Sequence, residues 1–464
     1  MPPGSYNPRV WLTGVLALGL AIRLVGLMGT TDLGVRISDE HDYVTLATSL
    51  VEGRGFAFAS GPTSLRPPLY PAFVAGIWSV AGSPSLQAVR AAQIVVSLVT
   101  VLLVFAIARD MFGPDAGLAA AALACFYPSL LVSNYLLLTE VLFAALLAAA
   151  TWAIVRFFLV GRLVAAALAG VTLGLAALTR SVVYPFPIVL AVLILAAWRR
   201  PLPQRVLAAT VMVACFVGVL APWAIRNTRL QGVPVLVDTM GGLNLRMGNY
   251  EYTPHDRIWD AVSETGARSW VAPLPPQAAD GGAWTEGKKE KWARGMAVRF
   301  MLDHPALTLW RSAIKLGDFW ALERDFIAGI QQGLFYPPAV VGVALSLAIL
   351  VSFPIVLFLA IVQISGLTGR DWVAGFVPLL LVLFICALHT IVFGHPRYRL
   401  PEMPLLCVYA GAALAAREWR LPAARWRQAA ALVAASSFVA LWVAQFVWRD
   451  WSYAERLLKV AVGS

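Results

Sequence analysis

Three carboxylates stand close together in the segment SDEHDY: Asp39, Glu40 and Asp42. If this segment begins a helix, the helix dipole favours acids at its start and keeps them ionised. An ionised carboxylate can accept a proton from a hydroxyl group in a transition state or bind a divalent cation. The alternative is that these carboxylates cap the start of a helix and face solvent, without a role in chemistry.

A second candidate lies in RPPLYP, where Arg66 precedes two prolines and Tyr70 follows. Consecutive prolines stiffen the chain and hold the arginine at a fixed place in its loop. An arginine beside such an elbow can clamp an anion. The alternative is an ordinary turn leading into the next apolar segment.

The segment HPRYRLPEMP contains the densest group of potential cations, His395, Arg397 and Arg399, together with Tyr398. Arginine suits bidentate recognition of phosphate, and lipid phosphates lie at the membrane surface. Because this segment links two apolar runs, it predicts a phosphate-binding function in preference to simple headgroup anchoring.

Further polar residues stand at the ends of apolar runs. Glu140 opens one run, and Arg180 lies between two others. Charges at membrane depth are costly and tend to face a cavity or a partner, although an arginine at a helix end can also snorkel. APWAIRN ends a run with Arg226 and Asn227, and the glycine-rich GGLNLRMGN ends with Asn249.

The composition requires lipid around these residues. The chain of 464 residues is 59% hydrophobic and 13% charged, whereas soluble proteins are about 25% charged. Apolar runs of about 17 to 25 residues predict transmembrane helices. About eleven lie near 10–28, 88–108, 115–133, 139–159, 163–180, 182–198, 206–224, 336–362, 373–393, 400–416 and 428–447.

Arginines in the short links predict the orientation. With a cytoplasmic N-terminus, the inside links are rich in arginine, above all at 417–427, as the positive-inside rule requires. We expect an N-terminal module of seven spans (1–224) that includes a first outer loop (29–87). An extracytoplasmic loop region (225–335) and a C-terminal module of four spans (336–464) follow.

Both long outer segments contain helix patterns that suit the membrane interface. Ser38 can cap a helix from Asp39 to about Glu52, and residues 293–320 mix apolar and basic positions with tryptophan. Neither of the two common glycine-rich nucleotide motifs occurs. The four cysteines lie inside apolar runs, so the sequence supports neither a disulfide framework nor a cysteine metal site.

The order of these motifs resembles the integral-membrane glycosyltransferases of the C-type superfamily. DE with a following Tyr, RPPLYP, TE, LTR, PWxxRN, GN and RYRxP occur in one order between the first span and residue 404. The nearest branch is that of the dolichyl-phosphate-mannose protein mannosyltransferases and aminoarabinose transferases. The resemblance implies the all-α fold of that superfamily, a polyprenyl-phosphate-linked sugar as donor, and a periplasmic or lumenal reaction that usually inverts the anomeric carbon.

The resemblance also implies residue roles. Asp39 resembles the family's catalytic acidic residue, which acts as a base towards the acceptor, and Glu40 fits as its orienter. Asp39 and Glu40 would also be the ligands of an optional Mg²⁺ or Mn²⁺ ion. The groups that would neutralise the leaving lipid phosphate are Arg180, His395, Arg397, Tyr398 and Arg399. The remaining candidates for substrate contacts are Asp42, Tyr43, Arg66, Tyr70, Glu140, Arg226, Asn227 and Asn249.

Departures from the family leave the acceptor open among glycans, lipids and proteins. The aminoarabinose transferases carry lysine where Arg66 stands and a sizeable soluble domain after the last span, whereas this chain has the long 225–335 segment. A flippase for lipid-linked glycans would be expected to place charges along a path through the spans. A lipid-linked glycan polymerase or ligase also needs cationic outer loops, but the Asp39–Glu40 pair favours a transferase of the bacterial inner membrane.

Overall fold

The structure is a computed structural model that describes residues 7–272, 274–367, 372–416 and 424–451. Nearly all regular structure in these ranges is helical. One small ribbon is the exception, in which β1 (Ala57–Phe58) pairs antiparallel with β2 (Gly61–Pro62).

Seven of the described helices are long and apolar enough to cross a membrane. They are α1 (Pro8–Met28), α4 (Leu86–Phe112), α7 (Glu140–Val160), α10 (Leu202–Gln231), α15 (Ala339–Ser365), α16 (Trp372–Ile391) and α19 (Arg425–Gln445). The predicted all-α membrane architecture is therefore confirmed.

The other predicted spans form shorter apolar helices, so the count of eleven is not confirmed. They are α5 (Pro114–Phe126), α6 (Pro128–Ser133), α8 (Leu163–Thr179), α9 (Phe186–Ala197) and α18 (Met403–Ala415). Proline explains one of the interruptions. Tyr127, which precedes Pro128, adopts an extended conformation and separates α5 from α6. The strongest charge-bias segment, 417–427, lies mostly outside the described residues.

Small residues allow these helices to pack closely. A Cβ atom on Gly411 of α18 would lie 2.3 Å from the backbone nitrogen of Ala120 in α5. One on Gly170 of α8 would lie 2.1 Å from the carbonyl oxygen of Met212 in α10. Helices in lipid associate largely through such close van der Waals contact.

The polar segments between the apolar helices form additional helices. They are α2 (Ser38–Val51), α3 (Leu69–Ala81), α11 (Gly241–Met247), α12 (Glu286–Asp303), α13 (Pro305–Phe319), α14 (Asp325–Gln331) and α17 (Pro396–Arg399). The predicted helix from Asp39 to about Glu52 is thus present one residue earlier. The helical stretch predicted over 293–320 is divided at Pro305 into two helices.

The two long polar segments, 29–87 and 225–335, contact each other directly. The Thr63 hydroxyl donates to Glu286 Oε1 and the Ser64 backbone N–H to Glu286 Oε2, each over 2.6 Å. Gln231 adds a contact of 3.3 Å to the same carboxylate. The side of the helices on which these segments meet is called the loop face below.

Arg90 fixes the turn that leads into α2. This buried side chain of α4 donates to the backbone oxygens of Thr30, Gly34 and Tyr135 over 2.9, 2.7 and 2.9 Å. A buried cation is tolerated where several acceptors surround it. The start of α2 is therefore tied to the first long span after α1.

The close packing of α18 on α5 predicts the effect of one methyl group. Gly411→Ala forces the two backbones apart, and we expect the protein to lose about 1–3 kcal/mol of unfolding free energy. Thermal unfolding in detergent measures the loss. The control is Gly218→Ala in α10, where no atom lies within 4 Å of the added Cβ. Equal stability of the two variants would contradict the packing.

Candidate active site

Six charged side chains form a continuous series of contacts on the loop face, called the charge row below. They come from the start of α2, the turn before α3, the start of α7, the end of α8, and α17. In order of contact they are Asp42, Arg66, Asp39, Arg397, Glu140 and Arg180. Negative and positive groups alternate along the whole row, and all six are residues for which the sequence predicts a site role.

Arg66 joins the two carboxylates of α2. Its Nη2 lies 2.8 Å from Asp39 Oδ1 and 2.7 Å from Asp42 Oδ2, and its Nε lies 2.9 Å from Asp42 Oδ2. Asp39 and Asp42 can share one arginine because residues three apart lie on the same side of a helix. The guanidinium carbon also lies 5.7 Å from the ring centre of Tyr43.

Glu140 joins the two arginines at the other end of the row. Arg397 Nε donates to Glu140 Oε1 over 2.6 Å, and its Nη2 donates to Asp39 Oδ2 over 3.1 Å. Arg180 Nη1 lies 3.4 Å from Glu140 Oε1, a longer contact. Because Glu140 is buried, removing its arginine partners would cost about 3–5 kcal/mol.

The row is accessible from outside around Asp39. The exposed fractions of the side chains are 29% for Asp39, 23% for Arg397 and 16% for Arg180, against 3% for Glu140. Burial raises the pKa of Asp39, but Arg397 and Arg66 lower it more, so the net pKa lies below its ordinary value. Asp39 is therefore an ionised carboxylate between two guanidinium groups.

Tyr398 packs beside the row. The guanidinium carbon of Arg180 lies 5.2 Å from the centre of the Tyr398 ring. The ring of His389 stacks on Tyr398 with ring centres 4.4 Å apart. These contacts place Tyr398 between Arg180 and α16, where it supports the arginine.

His395 lies further from the row, against Trp259. Their ring centres are 5.0 Å apart, and His395 Nε2 lies 3.7 Å from Asp325 Oδ1. Burial lowers the pKa of His395; Asp325 opposes this shift and Arg397 adds to it, so the net pKa is lowered. This shift favours the neutral ring, which can act as a hydrogen-bonding group.

Glu40 lies apart from the charge row although it follows Asp39 in sequence. Its Oε2 accepts the backbone N–H groups of Arg36 and Ile37 over 2.8 and 2.9 Å, and its Oε1 accepts that of Leu137 over 2.7 Å. Both oxygens of this buried carboxylate are thus engaged. The structure places Glu40 in a capping position that holds the start of α2, the helix that carries Asp39.

Arg399 also lies apart from the row, fully buried inside the protein. Its guanidinium donates to the backbone oxygens of Phe319 and Ala321 and lies 3.5 Å from Glu323 Oε1. The guanidinium carbon is 3.5 Å from the ring centre of Phe353. Whereas a phosphate-binding role is predicted from the sequence, the contacts of Arg399 are those of a residue that holds the chain after α13.

The predicted pair Arg226 and Asn227 lies beneath the first loop. Arg226 donates to the backbone oxygen of Phe56 over 3.1 Å. Asn227 accepts the Ser64 hydroxyl over 3.0 Å and donates to the backbone oxygen of Val237 over 2.8 Å. These contacts hold the two polar segments against α10.

The other predicted substrate residues are also held by protein groups. Tyr70 is fully buried, donates to Gln93 Oε1 over 2.7 Å and packs edge-on against Tyr43 with ring centres 5.0 Å apart. Asn249 Nδ2 donates to the backbone oxygen of Ile391 over 3.0 Å. None of these contacts brings Tyr70 or Asn249 into the charge row.

The two carboxylates of the optional metal site are already engaged by protein groups. The oxygens of Asp39 accept from Arg66 and Arg397, and those of Glu40 accept backbone N–H groups. Within the described ranges, His, Cys, Asp and Glu side chains form no group of three or more able to hold an ion. Mg²⁺ usually keeps several waters and is held through one or two carboxylates and substrate phosphates. A cation bound by Asp39 would therefore have to displace Arg66 or Arg397 from its oxygens.

Sequence patterns do not single out Arg90 or Trp259, although both position site residues. Arg90 could be found as a charged residue near the start of a predicted span, a costly position. Trp259 lies in an irregular stretch without periodicity, so only the folded structure places it beside His395.

Part of the chain matches a known protein family. Residues 65–225 match the family of dolichyl-phosphate-mannose-protein mannosyltransferases. The predicted resemblance is confirmed over that range. It contains Arg66, Glu140 and Arg180 of the charge row. No curated protein matches the chain.

Two solved structures are similar to the chain at low identity. The Archaeoglobus fulgidus oligosaccharyltransferase in the apo form is 15% identical with a TM-score of 0.48, over 92% of this chain and 54% of that chain. ArnT from Cupriavidus metallidurans bound to undecaprenyl phosphate is 16% identical with a TM-score of 0.40, over 87% of this chain and 77% of that chain. The chain thus spans about half the length of the archaeal protein.

The capping contacts of Glu40 predict a stability effect. Glu40→Gln replaces one accepting oxygen by a donor that faces a backbone N–H, and we expect a loss of about 1–3 kcal/mol of unfolding free energy. Thermal unfolding measures it. Glu52→Gln at the exposed end of α2 is the control, with an expected change within about 0.5 kcal/mol. A stable Glu40→Gln protein would contradict the capping role.

Proposed function

We propose that the protein is a membrane glycosyltransferase that moves a sugar from a polyprenyl-phosphate donor to an acceptor hydroxyl. The observation that carries this proposal is the meeting of Asp39 with Arg397 in an accessible site, with Arg180 close by. The family match of residues 65–225 supports the same reaction class. The donor sugar and the acceptor, whether glycan, lipid or protein, are not specified by these contacts.

The two arginines are suited to the donor phosphate. The polar contacts of Arg180 with Glu140 and Thr139 are long, at 3.4 Å each, so the N–H groups of its guanidinium are available to a ligand at little cost. Arg397 is anchored to Glu140 through Nε at 2.6 Å and reaches Asp39 through Nη2. One guanidinium group can bind two phosphate oxygens through two parallel hydrogen bonds. Cations that are already in place also stabilise the negative charge of the departing phosphate.

The transfer step requires one base and one stabilised leaving group. The acceptor oxygen attacks the anomeric carbon, and its proton passes to Asp39 as the new glycosidic bond forms. The bond between the anomeric carbon and the phosphate oxygen breaks, and polyprenyl phosphate leaves beside Arg180 and Arg397. Attack from the side opposite the phosphate inverts the anomeric carbon.

Donor binding would also activate the base. In the free protein, Arg397 and Arg66 lower the pKa of Asp39 more than burial raises it. Asp39 is therefore a weak base before the donor binds. A bound phosphate competes for Nη2 of Arg397 and brings negative charge close to the carboxylate. Both changes raise the pKa of Asp39. The base then becomes stronger only when the donor is in place.

The arrangement along the chain fits a reaction outside the cytoplasm. The first module (1–224) supplies Asp39 and Glu140, and the C-terminal module (336–464) supplies Arg397. The loop region (225–335) reaches the segment that carries Arg397, where Asp325 Oδ1 at the start of α14 lies 3.7 Å from His395 Nε2. The arginine-rich short links support a cytoplasmic location of the opposite face under the positive-inside rule, and we propose that the membrane is a bacterial inner membrane.

One assay tests the proposed function. Purified protein is incubated with short polyprenyl-phosphate sugars and a panel of acceptors, and released lipid phosphate is measured. We expect release by the wild type and a loss of about 100-fold or more in Asp39→Asn, since a general base contributes on the order of 10²–10⁴. Asp32→Asn, an exposed acid of the same loop, is the matched control and should retain full activity. An unaffected Asp39→Asn, or no release from any donor, would refute the proposal.

A further inference from the structure

Helix α13 buries its charged side chains and exposes several of its apolar ones. Arg311, Lys315 and Asp318 are buried, and their spacing of four and three residues places them on one side of the helix. Leu309 and Trp310 are exposed by 73% and 57%. The buried charges must therefore find their partners inside the protein, which makes the inner side of α13 a place of specific contacts.

Lys315 takes part in a closed set of three hydrogen bonds. Its Nζ donates to Asn249 Oδ1 over 2.8 Å and to the backbone oxygen of Ile391 over 2.9 Å. Asn249 Nδ2 donates to that same oxygen over 3.0 Å. Ile391 is the last residue of α16, where backbone oxygens lack helical partners and a nearby cation is favourable.

Two glycines allow this close approach. A Cβ atom on Gly394 would lie 1.9 Å from the backbone oxygen of Lys315. A Cβ atom on Gly248 would lie 1.9 Å from the backbone oxygen of Val392 and 3.3 Å from Lys315 Cε. Lys315 is thus packed between the turn that carries Asn249 and the residues that lead from α16 to α17.

From this geometry we infer that Lys315 is a positioning residue, which fixes the origin of segment 392–399 and thereby the place of Arg397. The inference rests on the proposed function, in which Arg397 binds the donor phosphate. Only five residues separate Ile391 from Arg397, so a shift at the end of α16 moves the guanidinium relative to Asp39. Reacting groups displaced by about 1 Å can lose on the order of 100-fold in rate.

The buried amine of Lys315 does not by itself favour the folded state. Burial lowers its pKa to about 7, and Arg311 adds to the shift, whereas an ordinary lysine has a pKa of about 10.4. The folded state therefore disfavours the charged amine at neutral pH. An apolar side chain of similar length would remove the cost of burying the charged amine. It would also remove both hydrogen bonds of Nζ.

The test separates position from stability. For Lys315→Met we expect a thermal midpoint within about 4 °C of the wild type. We expect backbone amides of residues 392–399 to exchange with deuterium at least about 10-fold faster, because their anchor is lost. We also expect kcat/KM for the donor to fall at least about 10-fold. Lys291→Met, the same change at an exposed site on α12, should alter none of these quantities.

The inference would be overturned by unchanged amide exchange at 392–399 in Lys315→Met, or by faster exchange with an unchanged kcat/KM. A loss of activity that only follows a lowered midpoint would overturn it as well. Exchange reports on the anchor whether or not the wild type transfers sugar. A failure of the proposed function is therefore distinguishable from a failure of this inference.

Discussion

The alternation of charge from Asp42 to Arg180 is the interaction on which the rest of the site depends. A buried carboxylate such as Glu140 is stable only beside a cation, and a cation such as Arg397 at this depth needs acceptors. Each group in the row therefore requires its neighbours. Because the six side chains come from five parts of the chain, the row forms only when helices α2, α7, α8 and α17 are all in place.

Much of the surrounding structure serves to bring these parts together. Arg90 and Glu40 fix the start of α2 from two sides, and both use backbone groups as partners. Glu286 joins the two long polar segments. Lys315 anchors the end of α16. The polar residues are thus divided between a few that remain accessible and many that hold them, as preorganised sites require.

Hydropathy and charge bias predict the membrane architecture and the face on which the acids and arginines gather. They do not separate neighbours with different partners. Arg397 and Arg399 are two residues apart in a helical turn, so they point to nearly opposite sides, one to Asp39 and one into the core. Asp39 and Glu40 are adjacent in α2, so their side chains diverge by roughly 100° and reach different partners. Their destinations depend on tertiary packing, which a local pattern does not contain.

Arg397 hydrogen-bonds Asp39 in the free protein, and we propose that it binds the donor phosphate in the complex. This change of partner is tested most directly by two pH profiles of sugar transfer. They are kcat/KM for the donor, which reports the free enzyme, and kcat, which reports the bound complex. Because donor binding raises the pKa of Asp39, the acid limb of kcat should lie at higher pH than that of kcat/KM. Coinciding limbs, or a kcat limb at lower pH, would contradict the account.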